Sequence, residues 1–549
     1  MPTIAELVRA RVADDQPALL FEDESWTYAE YVAACAERAA LLAELRRPGP
    51  FHVGVLLDNV PEFALWLGAA AMAGAVVVGV NPTRRGAELA RDITHTQCQL
   101  LVTETGYEPL LDGLATGVDA DRVLVTDSGA YSAAVDAHRG ASLPDIEVAE
   151  SDLYLLLFTS GTSGAPKACL CSQGRLAGIG VTLSSMVGLG ADDVCYVAMP
   201  MFHSNALMAG WAPAIAGGST TALRRRFSAS GFLPDVRKFG VTYFNYVGRP
   251  LSYILATPEQ PEDADNSLRL VFGNEAADLD IDRFSKRFGV PVIDSYGSTE
   301  GGAVVQRTAD MPPGALGRGR DGVAVLDPAT AKETPPARFD ADGRLLNPDD
   351  AIGELVNRLG ASGFEGYWNN DEANAARVHD GIYWTGDLAY RDEQDFLYFA
   401  GRDYDWLRVD GENFSAAPVE RILARHPDVV LAAVYAVPDP DVGDRVMAAL
   451  QLRPDAVFDP DEFRAFLAAQ PDLGTKSAPR FVRVAETMPV TETSKVLKRV
   501  LRRDRWETDD PVWWQPEKGG AYRRLTPGDV DTLRAEFAAR GRTPVLEAT

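Results

Sequence analysis

The sequence predicts an α/β fold of mainly parallel sheets with helices on both faces. Three observations carry that expectation. Short apolar, β-branched runs alternate with helical patterns from Trp26 to Asp294, the order that parallel sheets require. Several of those runs empty into Gly/Ser/Thr/Asn loops, and in open α/β sheets ligands sit beyond the carboxyl ends of strands. Finally, 549 residues exceed one ordinary domain and suggest about three or four structural units.

In chain order, Thr27 stands where a helix N-cap belongs, before the helical pattern that opens at Tyr28. Strand patterns follow at 52–57, 76–80, 99–103 and 122–126. The uncharged stretch 63–80 touches the length of a membrane span. Pro61-Glu62 can start a helix and Val76-Val77-Val78 is strand-like, so a buried helix followed by a buried strand is the better reading. Further strands are expected at 153–157, 168–171, 194–198, 241–247, 268–272 and 291–294. Residues 303–400 carry more glycine, proline and charge, and strand patterns return at 429–437 and 480–484.

Composition narrows the function classes. Hydrophobic residues make up 46% and charged residues 24%, the profile of a globular enzyme. A net charge of −26 argues against nucleic acid or an anionic membrane as the main partner. The five scattered cysteines suggest reduced thiols and a cytoplasmic setting. Cys169 and Cys171 would share one face of a strand, but no second Cys or His pair sits at ligand spacing, so a metal reading is weak. The N-terminus lacks the regions of a signal peptide.

The stretch around which the chain is organised is Phe158-Thr-Ser-Gly-Thr-Ser-Gly-Ala-Pro-Lys167. Its glycines allow a tight loop with N–H groups free to face an anion, its hydroxyls add donors, and Lys167 adds a mobile charge. It departs from the common phosphate loop, because Gly161 and Gly164 are three apart and Lys167 follows by three more. On composition alone, a surface loop fits equally well.

The order of these residues resembles the signature loop of the adenylate-forming superfamily, which includes acyl-CoA synthetases, peptide-synthetase adenylation domains and luciferases. Ser295-Tyr-Gly-Ser-Thr-Glu300, Tyr383-Trp-Thr-Gly-Asp387, Phe399-Ala-Gly-Arg402 and Met488-Pro-Val-Thr-Glu-Thr-Ser-Lys495 resemble further motifs of that family. The tail from 500 to 549, with Trp513-Trp514, and the stretches 247–255 and 273–276 resemble the fatty-acid-transport-protein and very-long-chain acyl-CoA synthetase branch.

The resemblance implies a large N-terminal domain over 1–401 with a small β-rich subdomain, a hinge at 402–404, and a small mobile α+β C-terminal domain over 405–549. It implies ATP, Mg²⁺ and CoA as cofactor and co-substrates. ATP would be held by Thr159, Ser160, Gly161, Thr162, Ser163, Gly164 and Lys167, by Gly273, Asn274 and Glu275, and by Asp294, Ser295, Tyr296, Gly297, Ser298 and Thr299. Within that set Tyr296 would stack on adenine, Gly273 would let the chain pass over the base, and Thr299 would touch the α-phosphate. Glu300 would ligate Mg²⁺, Asp387 would take the ribose hydroxyls, and Arg402 would contact the ribose or a phosphate.

Lys495 would enter the site during adenylation, although lysines in a basic stretch are usually surface charges. His203 matches the family's residue at the mouth of the carboxylate site; its other reading is a packed loop histidine. Gly411 and Glu412 would line the thiol tunnel. Tyr404 replaces the usual Asp or Lys of the hinge, and Ser494 replaces a glycine beside Lys495.

Met208, Trp211, Phe244 and Tyr246 would line a pocket for a long or bulky hydrophobic acid, or else belong to the core. The implied activity is ATP-dependent acyl-CoA ligation through an acyl-adenylate. Transfer to a carrier protein, or a non-catalytic lipid-binding role, are the alternatives. A homodimer is the expected assembly.

Overall fold

The computed structural model describes residues 1–547 except 160–166, 277, 309, 321, 341–344, 362, 403–405, 410–411, 441–443, 475, 492–495 and 518. Two sheets dominate the first 300 residues. One runs in the order Val123–Val125, Cys98–Thr103, His52–Leu56, Val76–Gly79, Leu153–Thr159, Lys167–Ser172. All of its pairings are parallel except the last, in which Thr159 stands opposite Lys167. The other runs Val292–Asp294, Leu270–Asn274, Tyr243–Val247, Val194–Val197, Thr220–Leu223, Pro17–Phe21, Glu24–Thr27, again parallel except for its last pair.

The local signals act as expected. Thr27 caps the helix Tyr28–Leu45 in a reciprocal capping box with Glu30. Pro61 opens the helix Pro61–Ala73, in which every residue from Phe63 onward is buried, and Val76–Gly79 is a strand buried along its whole length. The uncharged stretch is thus a core βαβ crossover. No helix among the described residues is long and apolar enough to cross a membrane.

Strands between residues 305 and 402 form a third, antiparallel sheet, the small β-rich part that the family resemblance implies. After it comes the hairpin of Trp406–Val409 with Glu412–Ser415. A separate sheet then follows in the order Val429–Pro438, Asp444–Leu452, Phe481–Val484, Val512–Trp514, Arg523–Arg524. That last sheet has hydrophobic clusters on both faces, one around Val434 and Phe463, the other around Tyr435 and Trp506. Cys169 and Cys171 are both buried, and burial pushes the Cys171 thiol up to about 12. Among the described residues, no group of three or more His, Cys, Asp or Glu is arranged to hold a metal ion.

Candidate active site

The carboxyl ends of the two parallel sheets meet around residues 199–204. Asn59, just beyond the strand His52–Leu56, donates to the Met199 carbonyl (2.8 Å) and accepts from the Met201 amide (2.8 Å). Gly79 ends its strand against residue 202: a Cβ there would lie 2.6 Å from the Phe202 carbonyl oxygen, so only glycine lets the segment approach. His203 is thereby held beside the site, its ring 5.8 Å from that of Phe202.

The loop 295–300 leaves the strand Val292–Asp294 and carries most of the polar groups. Its trailing end is fixed by three other segments. Ser204 and Thr299 share a hydroxyl hydrogen bond of 2.7 Å, and the half-buried Arg175 donates to the Thr299 carbonyl (2.5 Å) and to the Leu170 carbonyl (2.9 Å). Glu300 is 8% exposed, and its Oε1 accepts from the Tyr367 hydroxyl (2.8 Å) and from Thr159 Oγ1 (3.3 Å). Glu300, the carboxylate expected to take Mg²⁺, therefore sits beside Thr159, where the strand Leu153–Thr159 ends. One buried carboxylate with a second oxygen to offer suits Mg²⁺, which is commonly held by one or two carboxylates plus substrate phosphates.

The leading end of the loop faces the antiparallel sheet. Tyr296 donates its hydroxyl to Asp387 Oδ2 (2.7 Å), and Asp387 stands directly opposite Arg402 in the ladder between Ile382–Arg391 and Phe396–Arg402. The residue expected on the adenine and the two expected at the ribose are thus joined. Asn274 donates to both the carbonyl and the hydroxyl of Ser295, and Glu275 takes a left-handed backbone (φ 71°), uncommon for a residue with a side chain.

Asp294 accepts from the Tyr246 hydroxyl (2.6 Å) and the Ala276 amide (3.0 Å); burial pushes its carboxyl up to about 6. At Gly273 the close approach that requires glycine is to protein: a Cβ would meet the Tyr246 ring at 2.5 Å.

Lys167 begins its strand with Nζ 5.4 Å from the centre of the Tyr367 ring. Burial and then the nearby Arg377 hold its amine below the usual range. Both effects favour an anion arriving there.

The proposed acid pocket divides. The strand Tyr243–Val247 alternates, with Phe244 and Tyr246 on one face. Phe244 packs within 5.0 Å of Phe232 and 5.8 Å of Tyr196, inside the main aromatic core. Trp211 is 1% exposed, while Met208 is only partly buried against the same core. The opposite face of the strand meets residues 205–211: Tyr243 donates to the Ala209 carbonyl (2.9 Å), and Asn245 donates to Asn205 Oδ1 (2.8 Å). Leu207–Trp211 winds as a π-helix, a form that recurs at functional sites.

Ser160, Gly161, Thr162, Ser163, Gly164, Tyr404, Gly411 and Lys495 lie outside the described residues, and Arg402 and Glu412 are placed by backbone alone. The structure adds Arg175, Ser204, Tyr367 and Arg377, none of which sequence reasoning singled out. Tyr367 had one available signal, the cluster of aromatics around a glycine in Phe364-Glu-Gly-Tyr-Trp368.

The site unites the strand ends at Thr159 and Lys167, an aromatic bonded to a carboxylate, and a second buried carboxylate beside Thr159: the makings of a nucleotide-binding enzyme. The comparisons agree. The AMP-binding enzyme family matches residues 8–368, and the AMP-binding enzyme C-terminal domain matches 418–495. The chain belongs to the AMP-binding enzyme family.

Steroid-22-oyl-CoA synthetase of Rhodococcus jostii is 53% identical over 547 residues, covering 99% of each chain. A medium/long-chain-fatty-acid–CoA ligase of Mycobacterium marinum is 50% identical over 513 residues, covering 93% of this chain and 98% of the relative. The crystal structure of an anthranilate CoA ligase with anthranoyl-AMP superposes with a TM-score of 0.80 at 20% identity, over 91% of this chain and 96% of that one, which supports the fold alone.

Proposed function

We propose that the protein is an ATP-dependent acyl-CoA ligase acting on a bulky hydrophobic carboxylic acid, with a steroid side-chain acid as the first candidate and long-chain fatty acids next. The observation that carries the reading is the loop 295–300, bonded to Asp387 through Tyr296 at one end and to Thr159 through Glu300 at the other. The 53% identical steroid-22-oyl-CoA synthetase supports the choice of acid.

A carboxylate acylates poorly because oxide is its leaving group. In the first half-reaction a carboxylate oxygen attacks the α-phosphorus of ATP, the bond to the β-phosphate oxygen breaks, and acyl-AMP and pyrophosphate result. In the second, the CoA thiol sulfur attacks the acyl carbonyl, AMP leaves with the bonding pair, and the thiol proton goes to solvent. Positioning and charge neutralisation dominate such chemistry. Bound Mg²⁺ would supply positive charge to the phosphates, and Glu300 would hold it. The residues 159–167, Lys167 among them, cradle phosphate oxygens, and Thr299 orients the α-phosphate. Tyr296 covers the base, Asp387 and Arg402 fix the ribose, and Met208 and the segment from His203 line the acid. Lys495 enters for adenylation, the small domain beyond the 402–404 hinge turns, and Gly411 and Glu412 admit the pantetheine arm. The buried, scattered cysteines fit a cytoplasmic enzyme, and a homodimer is the proposed assembly.

The test is pyrophosphate release from ATP across a panel of acids, from acetate through long-chain fatty acids to steroid acids, each with and without CoA. Release that turns over only with CoA, yielding AMP and an acyl-CoA, is expected, with steroid acids giving the highest kcat/KM. Release indifferent to CoA would transfer the chain to the enzymes that load another acceptor.

A further inference from the structure

Tyr367 is 2% exposed, yet three charged side chains converge on it. Its hydroxyl donates to Glu300 Oε1 (2.8 Å) and accepts from Arg377 Nε (3.2 Å), and Lys167 Nζ lies 5.4 Å from its ring centre. Arg377 is itself anchored by donating to the Trp384 carbonyl (3.1 Å).

The backbone around Tyr367 is equally tied down. Tyr367 forms an antiparallel bridge with Cys169, the Leu170 amide donates to the Gly366 carbonyl (2.9 Å), and the Trp368 amide donates to the Ala168 carbonyl (2.8 Å). Residues 366–368 thus act as an extra edge on the strand that starts at Lys167. The ring carries the orientation of that strand into the loop that holds Glu300. The Phe364 and Tyr383 rings, 5.0 Å from Tyr367 and 5.4 Å from Phe364 respectively, pack the same cluster from the side.

A carboxylate has two acceptor oxygens, so it can give one to the protein and keep the other for a cation. A hydroxyl that donates to Oε1 restricts rotation of the carboxylate and leaves Oε2 as the oxygen to present. Arg377, donating to that same hydroxyl, polarises it and strengthens its bond to the carboxylate. This is the arrangement by which outer partners orient a ligating group and tune its affinity.

We infer that Tyr367, backed by Arg377, is a positioning residue that orients the Glu300 carboxylate for the divalent cation accompanying ATP and couples it to Lys167. The inference rests on the reading of Glu300 as the metal carboxylate.

The experiment measures ATP binding to the full-length enzyme by calorimetry as a function of Mg²⁺, without acid or CoA, so that no turnover contributes. Tyr367→Phe keeps the ring and removes the hydroxyl. It is expected to raise the Mg²⁺ concentration that half-saturates ATP binding about 5- to 20-fold, the scale of losing one hydrogen bond to a charged group, with the melting temperature close to that of the parent. Glu300→Gln is expected to raise it at least as far, and Tyr367→Phe added to Glu300→Gln to change nothing more. Arg377→Lys, which retains the charge, is expected to fall between the parent and Arg377→Ala.

An unchanged Mg²⁺ midpoint in Tyr367→Phe, with Glu300→Gln shifted, would overturn the positioning role alone. An unchanged midpoint in Glu300→Gln would overturn the metal-carboxylate reading, and the inference with it. Additive effects in the double variant would assign Tyr367 a purely structural part and overturn the inference as well.

Discussion

On the proposed nucleotide side of the site, loops from different parts of the chain are held to one another by side-chain hydrogen bonds: Tyr296 to Asp387, Glu300 to Tyr367 and Thr159, Thr299 to Ser204. On the proposed acid side, the segment from His203 to Trp211 is held by packing and by bonds to the strand beneath it, with Phe244 and Trp211 in the continuous core. The difference teaches how each side responds to substitution. A polar network loses one interaction at a time and leaves the fold standing, whereas a wall shared with the core transmits a lost side chain to the stability of the domain.

That comparison breaks most readily at Phe244. Phe244→Ala should cost about 3–5 kcal/mol of stability, the usual price of a large cavity in a packed core, read as a fall in denaturant midpoint. The folded fraction should keep its order of preference among acids. A changed preference without lost stability would move Phe244 from the core into the pocket.

Next in size is Lys495→Ala. Adenylation should slow about 10²-fold or more, the scale of removing one charge stabiliser, while thioester formation from supplied acyl-adenylate continues at the parental rate. An equal loss in both half-reactions would remove Lys495 from the proposed role.

Asp294 sharpens the boundary between the two sides, because Tyr246 reaches it from the strand that both sides share. Its carboxyl, near 6 in the folded protein, lies above the unfolded value of about 3.9. The native state therefore holds this proton longer, and its stabilising contribution, complete below about pH 4, is lost as pH rises through about 6. The stability of the parent relative to Asp294→Asn should fall by about 2 kcal/mol between pH 4 and pH 7, measured by denaturant unfolding. A flat difference would show that Asp294 titrates normally.

The smallest effects belong to the ribose end. Asp387→Asn should raise KM for ATP about tenfold. Tyr296→Phe, which keeps the aromatic face and loses only the hydroxyl, should raise it a few-fold. If Tyr296→Phe proved the more damaging, the hydroxyl rather than the ring would be the important part of that residue.

Residue type and order alone determined the α/β class, the core helix and strand of 63–80, the capped helix at Thr27, and the loop at 295–300. Each depends on signals close in the chain: a period, a cap, or a glycine beside clustered hydroxyls and a carboxylate. Tertiary structure alone decided which face of Tyr243–Val247 meets the segment 205–211. Phe244 and Tyr243 are both aromatic strand residues in sequence, and only the packing around Phe232, with Phe284 and Phe288, places Phe244 in the main aromatic core. It also decided that Tyr367 and Arg377 stand beside Glu300, since a hydrogen bond spanning 67 residues leaves no trace in local pattern. At Gly273 it supplied a reason that the sequence does not show, because the ring that excludes a side chain comes from Tyr246 on the neighbouring strand. Local order specifies what a residue can do; the pairing of distant strands specifies which partner it does it with.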